Sequence, residues 1–257
     1  MPFTVAHIAA ALPVRRLPIV LSAFVVGTTA PDFEYFVRLA PLSRWSHHLP
    51  GVFIFTLPCA LLVLWLYHRY IKNATVALLP RALQRRLPAG AEDFRFRGRL
   101  VLITISLLLG IASHIVWDWF THYDTPLYNH WTFLQHDVGV PFVGRVYTFK
   151  FLQHVSTIGG LLALAIWFAL LFRRTAPTTL ASTGLTGQEK AYRVGTMLAV
   201  AALAACIRGI IFTGFPGSID KLVTFAAVGF AAGVMFLWLE LLFYSAWGGG
   251  AETATTD

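Results

Sequence analysis

Charge is scarce in this sequence. Only 12% of its 257 residues are charged, and just 12 are acidic. Ordinary soluble domains carry about twice that share, and disordered chains carry a higher net charge with fewer apolar groups, so both classes are excluded. Cysteine is scarcer still. Cys59 and Cys206 each sit inside an apolar run. They show neither a disulfide framework nor a cysteine-based zinc spacing, and both are expected to be small core residues. What fills the sequence instead is hydrophobic: 57% of residues, with a mean hydropathy of +0.66. That composition belongs to the membrane class.

Five apolar runs approach the roughly 20 residues needed to cross a bilayer. They cover about 51–71, 99–120, 156–173, 195–214 and 220–243. Two shorter runs precede them, 2–13 ended by Pro13 and 18–30 bounded by Pro18 and Pro31. Each is too short to span alone. They form a re-entrant hairpin, or the second continues through 38 as one kinked span. The expected fold is an all-α polytopic membrane bundle of about five spans plus this short N-terminal hairpin. Residues 1–155 make up a helical domain carrying the polar motifs, 156–247 add C-terminal transmembrane helices, and 248–257 form a disordered tail. Arg15 and Arg16 follow the first apolar stretch instead of preceding it, so no cleavable leader is expected.

The net charge of +8 does not call for nucleic acid, because the basic residues lie in the connections. Lys72, Arg81, Arg85, Arg86, Arg95, Arg97 and Arg99 fall in the 72–99 connection, and Arg173, Arg174, Lys190 and Arg193 in the 173–194 connection. The long 121–155 connection holds only Arg145 and Lys150. The bias of basic residues toward the cytoplasm puts 72–99 and 173–194 inside, and 39–50 and 121–155 outside. Residues 75–88 read as a basic amphipathic segment on the inner surface, and 175–188 as a flexible linker. Trp117, Trp119, Tyr123, Tyr128 and Trp131 read as an interfacial aromatic belt.

Against this apolar background, His114 and Asp118 stand one helical turn apart within a span. Ionisable groups at that depth are expensive and need partners. A divalent metal accepts an imidazole nitrogen and a carboxylate oxygen together. At 1.5 Å per residue, His114 lies roughly 9 Å below the outer end of its helix. His122 continues the same face. His47 and His48 lie at the outer mouth of the 51–71 span, and Asp32 and Glu34 follow Pro31 just before the outer loop. Plainer readings stand beside this one. His47 and His48 are ordinary interfacial residues, Asp32 caps a helix, His114 and Asp118 share an intrahelical hydrogen bond, and His7 is a satisfied core histidine.

Four motifs carry a resemblance: Met-Pro-Phe-Thr-Val-Ala-His7, Ala-Pro-Asp32-Phe-Glu-Tyr-Phe, Trp-Ser-His47-His-Leu-Pro-Gly, and Ser-His114-Ile-Val-Trp-Asp118-Trp-Phe-Thr-His122. In this order they resemble an uncharacterised bacterial membrane family, domain of unknown function 4184. More distantly they resemble membrane-bound metal-dependent hydrolases and the zinc-dependent phospholipase C and single-strand nuclease group. That last resemblance implies a zinc ligand set of His7, Asp32, His47, His114 and Asp118, in the group's own order. The group's N-terminal Trp amine is replaced here by Met1. Its later His-x-x-x-Asp or His-x-x-x-Glu is missing, since Leu134, Val140 and Ile158 follow His130, His136 and His154 at the acid position. One or two zinc ions are therefore expected, with Asp118 between them.

The resemblance implies a hydrolase of phosphoesters. The depth of the motifs directs it to a phospholipid or polyprenyl phosphate in the outer leaflet of the bacterial cytoplasmic membrane. Glu34, His48 and His122 are the candidate orienting residues or general bases. Arg208, buried within a late span, is either a phosphate clamp or a snorkelling, carbonyl-bonded arginine. The competing class is a non-enzymatic membrane protein, with a structural metal tying its first segments together or with a transport pathway.

Overall fold

The structure is a computed structural model that describes residues 3–87, 98–141, 144–178 and 185–248. The tail at 249–257, the linker core at 179–184 and the basic stretch 88–97 lie outside the described residues. Helices dominate. Helix α1, Thr4–Val14, is a 3₁₀ helix over Thr4–Ala10 that widens into a single α turn. Helix α2 spans Leu21–Thr29, a 3₁₀ turn follows at Ala30–Asp32, and α3 spans Phe33–Arg38. The first short piece is a separate helix, and the second continues as helix through Arg38 with a 3₁₀ turn at Pro31. Pro31 lies inside the turn between α2 and α3, where its missing N–H and fixed φ are tolerated.

Five helices are long and apolar enough to cross a membrane: α4 Leu49–Leu78, then α6 Leu100–Thr121, α8 Thr148–Arg174, α9 Gly187–Thr213 and α10 Asp220–Trp247. The chain is a multi-pass membrane protein. A short helix α5, Arg81–Gln84, follows Pro80, and α7 is Pro126–His130. Helices α4, α8 and α9 clearly exceed their apolar runs, whereas α6 matches its own. Hydropathy marks the lipid-facing length, whereas polar turns extend the helices beyond it. The start of α9 shows how: Thr186 and Glu189 form a reciprocal capping box there, eight residues before the apolar run begins. Helix α4 runs through Leu78, so the start of the expected amphipathic surface segment, 75–78, belongs to a span.

The 121–155 connection holds more order than its composition announces. Strand β1, Asp137–Val140, pairs antiparallel with β2, Gly144–Tyr147, in the register Val138 opposite Val146. Above them Tyr123, Tyr128 and Phe149 form a ring cluster with centroid separations of 5.1 to 6.5 Å.

The described residues divide into two compact units that interleave along the chain. The first lies within Met1–Asp32, Trp45–Leu61 and Arg95–Leu171, and the second within Phe33–Arg44, Leu62–Phe94 and Phe172–Asp257. In the first unit α2 and α6 pack backbone to backbone. A methyl group on Gly27 would meet the carbonyl of Leu107, and one on Gly110 would meet that of Phe24. Small residues permit this approach, as in other membrane helix pairs. The Val20 amide then donates to Ser106 Oγ at 3.0 Å. The buried face of α6 repeats every three to four residues: Ile103, Ser106, Leu107, Gly110, Ile111, His114, Asp118. Its last members bring polar groups against α2. In the second unit α9 and α10 pack along their length, with Gly229 and Gly233 against Ala205 and Ala201.

Candidate metal centre

Four segments of the first unit meet at one buried cluster. Helix α6 supplies His114 and Asp118, 0% and 5% exposed. The 3₁₀ turn after α2 supplies Asp32, wholly buried, and α1 supplies His7, also buried. The Trp45–His47 loop supplies His47. That loop is held against the start of α4, where Thr56 Oγ1 donates to the Ser46 carbonyl at 3.1 Å. Helix α1 is pinned by its neighbour α8: the Phe3 amide donates to Thr157 Oγ1 at 3.1 Å.

The donor atoms face one another. His114 Nε2 lies 3.3 Å from Asp118 Oδ2 and 3.6 Å from Asp32 Oδ1. His47 Nε2 lies 3.5 Å from Asp118 Oδ2 and 3.9 Å from Asp32 Oδ1. His7 Nε2 and His122 Nδ1 each lie 3.5 Å from Asp118 Oδ1. The His7 and His114 rings stack at 3.9 Å. Two triads, His7–His114–Asp118 and Asp32–His47–His114, each bring three potential ligand atoms within 4.8 Å of one another.

These separations decide how the cluster is held. His7 Nε2, His114 Nε2, Asp32 Oδ1 and Asp118 Oδ1 are buried without a hydrogen-bond partner. Buried polar atoms in that state cost free energy, about 1–3 kcal/mol each. The spacing is too long for good hydrogen bonds. It is compatible with ligands around one ion, since bonds of about 2.0–2.2 Å to a tetrahedral ion separate its donor atoms by about 3.4 Å.

The outer contacts orient those atoms. His114 Nδ1 lies 2.7 Å from the Thr28 carbonyl oxygen. A carbonyl only accepts, so Nδ1 carries the proton, and in the neutral ring the Nε2 lone pair faces the carboxylates. Thr4 Oγ1 donates to Asp32 Oδ2 at 2.6 Å, which leaves Oδ1 for the cluster. His122 Nδ1 lies 3.0 Å from the Asp118 carbonyl. Ligating histidines in metal sites are fixed in this manner. Burial pushes His7 down to about 3, with the neighbouring His114 imidazole acting in the same direction, so His7 is a neutral lone-pair donor. Burial also pushes the Asp32 carboxyl above the ordinary carboxylate range, and a cation is the group that would keep it ionised.

The other residues singled out by sequence are placed differently. His48 is exposed at the N-cap of α4, and among the described residues it makes no ionic contact with Asp32 or Asp118. Glu34 belongs to the second unit, where it accepts from Arg38 Nε at 2.8 Å and from the Arg44 amide at 3.0 Å. Arg208 is in the second unit as well. Its Nε donates to the Leu39 carbonyl at 3.0 Å, and its guanidinium lies over Phe212. Leu39 is left-handed, with φ of 50°, so Arg208 braces the end of α3. The partners that sequence reasoning passed over are Thr4, Thr28 and Ser46. Thr4 lies three residues before His7 in the first motif. Thr28 acts through its backbone carbonyl, which no side-chain pattern reports.

A family model described as Domain of unknown function (DUF4184) matches residues 1–246. The chain belongs to that family. No curated protein and no solved structure matches the chain. The DUF4184 match embraces every segment that contributes to the cluster.

Proposed function

We propose that this protein is a membrane-embedded, zinc-dependent hydrolase of a phosphoester, acting on a lipid-linked phosphate at the outer leaflet of the bacterial cytoplasmic membrane. One observation carries the reading: buried imidazole and carboxylate atoms, unpaired by hydrogen bonds, converge at ligand spacing. The donor chemistry suits zinc, which takes histidine nitrogen and carboxylate oxygen and accepts an open position. When bound, zinc supplies a water acidified to a pKa of about 7 and a Lewis acid toward a phosphoryl oxygen.

The residues divide the remaining work. A single imidazole nitrogen has one lone pair, so the two triads that share His114 cannot both be completed through it. Asp32, His47 and His114 would hold one ion, and His7 with Asp118 would hold a second with fewer protein donors, which would leave room for water and substrate. A structural zinc would instead be closed by four protein ligands. His122 Nε2 is buried and unpaired, so it is the proton acceptor of choice. Glu34, already engaged by Arg38 and the Arg44 amide, is not. The distribution of Lys and Arg supports an outward-facing site.

The reading is tested on protein purified in detergent, by following phosphate or headgroup release from lipid phosphates before and after chelation. Release that stops with chelator, returns with zinc and is lost in His114→Ala is expected. Release indifferent to chelation would overturn the mechanism, and unaltered zinc content in His114→Ala and Asp118→Asn would overturn the site.

A further inference from the structure

The second unit contains a cleft of about 880 Å³ that the metal centre does not use. Its walls are apolar and aromatic, and include Tyr70, Met197, Phe236, Tyr244 and Trp247. Glu240 of α10 is the one acidic residue among its lining groups. Glu240 Oε2 is buried and has no hydrogen-bond partner. Among the described residues Glu240 has no ion pair, although two arginines are near the rim. Arg69 lies over the Tyr70 ring at 4.9 Å, and Arg193 lies over the Tyr244 ring at 5.3 Å.

The walls have a further peculiarity. Tyr70 belongs to a π-helical turn in α4, Tyr67–Ile71, and Tyr244 and Trp247 belong to another, Tyr244–Gly248. Such turns are rare, and they widen a helix at the expense of ordinary hydrogen-bond register. They recur at functional sites. Here they bring aromatic side chains from two helices into the cleft that Glu240 also lines.

We infer that this cleft binds a phospholipid whose headgroup carries a primary ammonium, with the ammonium on Glu240 and the phosphate at Arg69 and Arg193. An unpaired carboxylate among apolar side chains of a membrane span requires a cationic partner. Aromatic rings beside it favour a cation as well. The unfilled acceptor on Oε2 requires an N–H donor, which a primary ammonium has and a quaternary one lacks. Arginine is the residue suited to phosphate. The exposed apolar surfaces of Phe236, Leu239 and Phe243 match acyl chains. One zwitterionic lipid of the ethanolamine type satisfies all of these at once. The inference is independent of the metal site.

Full-length protein in detergent would be titrated with phosphatidylethanolamine, phosphatidylcholine and phosphatidylglycerol of identical acyl chains, and bound lipid counted by native mass spectrometry. Phosphatidylethanolamine should bind about tenfold more tightly than the other two. Glu240→Gln should erase that preference. Ala246→Trp, which narrows the cleft while leaving the carboxylate, should weaken phosphatidylethanolamine to the level of the others, with melting temperature showing that both variants fold. Equal binding of the three lipids by the wild type would overturn the inference. So would a phosphatidylethanolamine preference that survives Glu240→Gln, or that survives Ala246→Trp.

Discussion

Both units of this protein bury polar side chains, and they use them in opposite ways. Among the described residues of the second unit, several side-chain donors end on backbone carbonyls near helix termini. Lys190 Nζ donates to the Leu79 carbonyl, and Gln84 Nε2 donates to those of Val76 and Ala77. Arg208 does the same for Leu39. These contacts satisfy the carbonyls left over at helix ends. In the first unit a partner engages only one side of the polar group: His114 Nδ1 donates to the Thr28 carbonyl and Asp32 Oδ2 accepts from Thr4 Oγ1, while His114 Nε2 and Asp32 Oδ1 are left facing their neighbours. A buried polar group alone therefore says little about function. What distinguishes a site is where the unsatisfied atoms point, and in the first unit they point at one another.

This contrast can be broken by substitution, and the largest effect is expected at the helix contact beneath the cluster. Gly110→Val would force α2 away from α6. It should destabilise the protein by at least the 1–3 kcal/mol typical of overpacking and abolish metal retention, read by melting temperature and elemental analysis. Unaltered melting and metal content would show that the close approach is not what positions His114. Next comes Asp118→Asn, which keeps the shape but removes the charge shared by His7, His47, His114 and His122. Zinc affinity should fall at least 100-fold with little change in melting temperature of the metal-free protein. Thr4→Val removes only an orienting hydroxyl, and about 10- to 100-fold is the usual loss for such a partner; competition with a chromophoric chelator measures it. The smallest effect on metal belongs to the second unit. Lys190→Met should lower stability by about 1–3 kcal/mol through the carbonyl it leaves bare, yet leave zinc content untouched. If Lys190→Met lost zinc as Asp118→Asn does, the contrast between the units would fail.

Much of the first unit's cluster is visible in sequence because charge is so scarce there. In a 22-residue apolar helix, His114 and Asp118 have no company on α6 itself, so partners must come from elsewhere, and Asp32, His47 and His7 are the few polar residues at matching depth. Five spans were equally legible, since hydropathy records the lipid-facing length directly. Three things were not. The carbonyl of Thr28 is invisible because its role depends on how closely Gly27 and Gly110 let two helices approach. The true lengths of α4 and α8 depend on polar turns that hydropathy averages away. The β1–β2 hairpin has only four residues per strand, too few for alternation to stand out. Glu34 shows the converse. Its two-residue distance from Asp32 suggests a shared site, but its carboxylate turns to Arg38 and the Arg44 amide.

The most direct measurement is the zinc bound per chain by wild type and by His114→Ala, after equal exposure to zinc and removal of the excess. The account predicts one to two ions per wild-type chain and less than about a tenth of that in a folded His114→Ala. Equal zinc in both proteins, or none in a folded wild type supplied with zinc, would contradict it.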